Sequence, residues 1–166
     1  MKHHTDKIPS RTALYFAYGS NMNLEQMAIR CPEAKWLGAA SISNWAVVPR
    51  LYADLTPRTG NCAQGVLYRM SREDFAALDR YEGYPEIYTR RILLVRRANG
   101  ELCYAYTYIM TPQAAWRRRG LPYPEEYRLR CATGARQNRI ASAFGPPARL
   151  RPANCYTYAA RRASGY

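Results

Sequence analysis

Apolar and polar positions change their period several times along the chain, and each change marks an element. Ala13 to Tyr18 is a run of apolar and aromatic residues closed by Gly19-Ser20-Asn21. That pattern predicts a buried strand running into a tight loop. Asn23 is placed to cap a short helix over Leu24 to Ile29, which Pro32 stops. Trp36 to Leu55 is rich in residues that suit strands, with breaks expected at Asn44 and Pro49, and a further strand runs from Cys62 to Met70. Ser71-Arg72-Glu73-Asp74 then opens a helix with a serine cap and two acids in its first turn; it should run to about Tyr81 and stop at Gly83. Tyr88 to Arg97 alternates as a strand, Asn99-Gly100 marks a hairpin, and Cys103 to Met110 is its return strand. A last long helix is predicted from after Pro124 to about Phe144, ended by Pro146 and Pro147.

Several strands punctuated by three helices, mostly joined by short turns, lack the regular alternation of a doubly wound sheet. The expected class is therefore α+β, with a mixed sheet curled into a small barrel. No repeat or low-complexity linker divides the chain, so one domain is expected over residues 13–147, between a polar lead-in (1–12) and a C-terminal tail (148–166).

At 166 residues and 48% apolar composition the chain has the means to bury a core. Its apolar runs fall far short of the roughly 20 residues of a membrane helix, and the lead-in has no apolar signal-peptide core, so a cytoplasmic location and no membrane partner are expected. His3 and His4 lie in that lead-in and receive no role. Five cysteines, widely spaced and with no C-x-x-C pair, give little support to zinc or a disulfide framework, and no metal is implied. The net charge of +13 comes from dispersed arginine clusters. No recognition module accompanies them, so a basic solvated surface is expected rather than specific nucleic-acid binding.

The chemistry concentrates in two places. On the helix from Ser71 to Gly83, Phe75, Leu78 and Glu82 fall within about 60° of one another, so a carboxylate ends the stripe that faces the core. Desolvation and the negative end of the helix dipole would raise its pKa, as a general base near neutral pH requires. Geometry alone leaves a second outcome open, in which Glu82 leaves the stripe at a frayed end and reaches solvent. The other place is Tyr18-Gly19-Ser20-Asn21. Gly19 permits close approach of backbone to a ligand, and successive N–H groups there could bind an anion, although ordinary turns use the same residues. Nucleophile chemistry has little to work with, since both histidines lie in the lead-in and no phosphate-binding loop occurs.

Four motifs in order resemble the γ-glutamylcyclotransferase family: Tyr15-Phe16-Ala17-Tyr18-Gly19-Ser20-Asn21-Met22; Gly65-Val66-Leu67-Tyr68-Arg69-Met70; Leu78-Asp79-Arg80-Tyr81-Glu82-Gly83; and Tyr127 followed by Cys131-Ala132-Thr133-Gly134-Ala135. The similarity covers about residues 14–145. It implies a barrel-like mixed sheet with flanking helices and a cavity at the barrel mouth. It also implies Glu82 as the acid/base residue, Tyr18, Gly19, Ser20 and Asn21 as the loop that holds the γ-glutamyl group, and Tyr88 and Tyr127 as pocket tyrosines.

The activity so implied is release of 5-oxoproline and a free amine or amino acid from a γ-glutamyl compound, with no cofactor. The partner is then the small γ-glutamyl substrate itself. Two alternatives remain: removal of a γ-glutamyl protecting group in secondary metabolism, and a non-catalytic binding member of the fold. Asn21 makes the chain less similar to the glutathione-specific branch, and Ser20 less similar to the γ-glutamylamine branch. No feature specifies an oligomeric state.

Overall fold

The structure is a computed structural model, and it describes residues 11–141 and 143–145. Five strands, β1 (Thr12–Ala17), β2 (Lys35–Arg50), β3 (Tyr52–Ser71), β4 (Tyr88–Arg97) and β5 (Leu102–Met110), close into a barrel in the order β1-β3-β2-β4-β5. Every pairing is antiparallel except β1 with β5, where Tyr15 opposite Tyr106 completes the ring. Among the described residues the helices are α1 (Leu24–Arg30), α2 (Arg72–Glu82), α3 (Pro112–Arg117) and α4 (Glu125–Gln137), with a 3-10 turn at Ser20–Met22. The expected α+β barrel with flanking helices is the fold observed.

The core is aromatic. Tyr15 packs edge-on against Phe75 and Tyr108, with centroids 6.2 and 5.8 Å apart, and Phe75 in turn meets Tyr106 at 5.5 Å. These contacts seat α2 against the barrel. Local chemistry fixes its length. The Ser71 hydroxyl accepts from the Asp74 N–H at 3.1 Å while the Asp74 carboxylate accepts from the Ser71 N–H at 2.9 Å, and Gly83 takes the left-handed conformation (φ 66°) that ends the helix.

Four expectations need correction. β2 and β3 are much longer than predicted, because Asn44 and Pro49 do not break them. Asn44 sits at φ 63° in a bulge, where its side chain accepts from the Gly60 N–H at 3.0 Å, and Pro49 lies beside the turn opposite Ala53. α3 was not foreseen, although Thr111 caps it and Pro112 occupies its first turn. α4 ends at Gln137, not near Phe144: the Asn138 amide donates to the carbonyls of Met22 and Gly134 at 2.9 and 2.7 Å, and Arg139 turns left-handed at φ 54°. Finally, Cys62 is engaged in a disulfide, whereas Cys31, Cys103 and Cys131 are free.

No helix among the described residues is long and apolar enough to cross a membrane, and no cluster of potential metal ligands occurs among them. The lead-in residues 1–10, with His3 and His4, and the tail 148–166 lie outside the described residues.

Candidate active site

One cavity of about 490 Å³ opens at the end of the barrel, and the elements just described form its wall. β1 runs into the loop Tyr18-Gly19-Ser20, α2 brings Glu82 at its last residue, β3 contributes Tyr52 and Ala53 at its start, β4 contributes Tyr88, and α4 presents Tyr127.

Glu82 follows Phe75 and Leu78 along the buried stripe of α2, so the helix delivers its carboxylate to the cavity rather than to the outer surface. Asn21 Nδ2 donates to Glu82 Oε1 at 3.0 Å and to the Tyr15 hydroxyl at 2.9 Å. Burial pushes the carboxyl up to about 7, against the Arg30 charge and the Asn21 hydrogen bond, which both favour the ionised form. The neighbouring hydroxyls of Tyr15, Tyr18, Tyr88 and Tyr108 are all raised by burial first of all, so they are neutral near pH 7. A carboxylate poised between its two protonation states, ringed by neutral hydroxyls, can both accept and return a proton near pH 7.

The tyrosines are held by the backbone. Tyr18 OH donates to the Tyr108 carbonyl at 2.5 Å and Tyr88 OH to the Ala53 carbonyl at 2.7 Å, while Tyr127 OH accepts from the Ala53 N–H at 3.1 Å. Both peptide groups of Ala53 are thus used by cavity tyrosines. Pro49, the residue opposite in the ladder, has no N–H to offer them. Gly19 is needed for fit: a Cβ there would lie 2.8 Å from the Tyr127 hydroxyl and 3.2 Å from the Ala53 Cβ.

The sequence profile described as gamma-glutamyl cyclotransferase, AIG2-like matches residues 15–129. The chain belongs to this family. No curated protein sequence matches the chain. Solved structures agree in fold. A gamma-glutamyl cyclotransferase is 22% identical with TM-score 0.63, over 76% of this chain and 80% of that one. An uncharacterized protein from Homo sapiens is 20% identical with TM-score 0.67, over 89% and 96%. An AIG2-like protein from mouse is 23% identical with TM-score 0.53, over 70% and 88%.

In this member of the gamma-glutamyl cyclotransferase family, Tyr18, Gly19, Ser20, Glu82, Tyr88 and Tyr127 all line this cavity. Asn21 does not. Its side chain is buried behind the wall, between Glu82, Tyr15 and Arg30, where it orients the carboxylate rather than facing a ligand. Residues that the sequence did not single out are also present. Tyr52, Tyr81, Tyr108 and Arg130 line the cavity, and Arg30 stands behind it. Arg30 Nη1 reaches Ser20 Oγ at 3.1 Å and Asn21 Oδ1 at 2.5 Å, and its guanidinium stacks on the Tyr81 ring. A basic residue in the last turn of a short helix was the available signal for Arg30, and it suggests only a favourable helix-dipole contact.

Proposed function

We propose that the protein is a cyclotransferase that converts a γ-glutamyl compound into 5-oxoproline and a free amine. The observation that carries this reading is the Glu82 carboxylate, delivered to the cavity wall by α2, tethered by Asn21 and raised to about 7.

The substrate's α-amine is mostly protonated at neutral pH and cannot attack in that form. Glu82 removes a proton from it. The freed nitrogen attacks the γ-carbonyl carbon of the same molecule and closes a five-membered lactam. The tetrahedral intermediate collapses by breaking the bond between the γ-carbon and the leaving nitrogen as Glu82 returns its proton to that nitrogen. The ring nitrogen gives up its surplus second proton to Glu82, which passes it to the product amine, released as its ammonium. Atoms and charge balance without a further reactant.

Intramolecular attack gains most from a wall that holds the substrate folded. Effective molarities in well-oriented systems correspond to as much as about 7–11 kcal/mol of barrier. The loop Gly19-Ser20 and the Tyr127 hydroxyl, whose proton no backbone carbonyl takes, are the groups placed to stabilise the developing oxyanion, while Tyr18 and Tyr88, whose protons go to backbone carbonyls, shape the wall around the glutamyl part.

The test is direct measurement of 5-oxoproline after incubation with γ-glutamyl amino acids, γ-glutamyl amines and larger γ-glutamyl-protected amines. Release from at least one of them supports the reading. Binding without release across the panel would favour a non-catalytic member instead.

A further inference from the structure

The charged residues in the cavity wall are Glu82, Glu126 and Arg130, so the wall holds two carboxylates and a single guanidinium. Any γ-glutamyl compound brings at least one more carboxylate, on its α-carbon. Burying an anion in such a wall is costly unless a cation or several donors meet it.

Arg30 is not free to do so. The Arg30 guanidinium is engaged by Ser20, Gln26, Asn21 and Tyr81 behind the wall. Arg130 differs. Its backbone carbonyl accepts from Asn23 Nδ2 at 3.3 Å, which fixes its place in α4, but its guanidinium has no hydrogen bond or ion pair with another described residue. It is partly buried, and it lies one turn beyond Glu126 and on the same side of the helix as Tyr127, whose hydroxyl abuts Gly19.

We propose that Arg130 is the carboxylate-binding residue of this cavity, pairing with a carboxylate of the bound substrate. The planar fork of the guanidinium suits a bidentate carboxylate pair. The inference rests on the γ-glutamyl reading and adds to it a recognition residue on α4. Two carboxylates qualify: the α-carboxylate of the glutamyl part, and that of an amino acid serving as leaving group.

The experiment compares Arg130→Gln with the parent protein on two substrates, γ-glutamylalanine and γ-glutamylpropylamine, which differ in the leaving-group carboxylate. KM should rise about tenfold or more, the scale of a lost charge-assisted hydrogen bond, with kcat little changed. A rise for both substrates assigns Arg130 to the glutamyl carboxylate. A rise for γ-glutamylalanine alone assigns it to the leaving group. Arg130→Lys, which keeps the charge, should recover part of the loss. Unchanged KM for both substrates in folded Arg130→Gln overturns the proposal.

Calorimetric binding of the same two compounds to Glu82→Gln protein, with and without Arg130→Gln, separates this inference from the reaction. Equal Kd values with and without Arg130→Gln for both compounds refute the carboxylate site alone, and failure of both compounds to bind Glu82→Gln protein refutes it as well. Absence of 5-oxoproline release despite Arg130-dependent binding refutes the reaction alone.

Discussion

Arg30 Nη1 donates to Asn21 Oδ1 at 2.5 Å, and this bond decides which way the Asn21 amide points. With its oxygen committed to Arg30, Asn21 has only its NH₂ group to offer the other side, and both Glu82 and Tyr15 accept from it. Arg30 is therefore a positioning residue for the carboxylate, acting through Asn21 without touching the cavity.

Replacing Arg30 by Met should consequently change the pH profile as well as the rate. The Arg30 charge pulls the Glu82 pKa down, so its removal raises that pKa further. The acid limb of kcat/KM should move to higher pH, and the loss at pH 6 should exceed the loss at pH 8.5. The tyrosines that face Glu82 stay neutral in this range and cannot produce the shift. An equal loss at every pH would reduce Arg30 to a structural contact.

Glu82→Gln should keep the fold and ligand binding while lowering turnover by about 10² or more, the usual scale for loss of a general base. Steady-state kinetics on folded protein checks this. Activity within tenfold of the parent would remove Glu82 from the mechanism.

Stability should carry the mark of the same group. The folded protein holds the Glu82 proton up to about pH 7, whereas an unperturbed glutamate releases it near 4.5. Between those values the native state binds more protons than the unfolded chain, so stability falls as pH rises and then levels off above 7. Glu82→Gln lacks this fall. Urea unfolding at pH 5, 6, 7 and 8 should show the variant gaining on the parent as pH rises; parallel curves would contradict the raised pKa.

Gly19→Val should weaken substrate binding and turnover together with little change in circular dichroism. The added Cβ meets the Tyr127 hydroxyl and the Ala53 side chain, which are parts of the cavity wall. Activity per folded molecule, measured well below the melting temperature, distinguishes this from a turn defect. Full specific activity would place the ligand away from the loop.

Elements with strong local signals were legible in the sequence. The serine cap and closing glycine of α2 delimit it within a residue, and Gly100 at φ 88° closes the β4–β5 turn where Asn99-Gly100 suggested one. The β2–β3 hairpin was obscured because Asn44 and Pro49 are breakers by type. Here a bulge and a position beside the turn accommodate them. The site divided in the same way. Glu82 could be placed because helical spacing is local, and the choice between core stripe and solvent needed the barrel to settle it. Arg30 reaches Asn21 from nine residues away and Tyr81 from fifty-one, contacts that only tertiary packing creates.

The Ala53 peptide, shared between Tyr88 and Tyr127, has a consequence for any saturation scan of this protein. The groups that align the two phenols belong to the main chain, so nearly every side chain at position 53 would preserve them. Proline is the exception, because it deletes the N–H that Tyr127 accepts. A scan would therefore record position 53 as a matter of size alone, with one anomalous proline, although the alignment of both phenols depends on it.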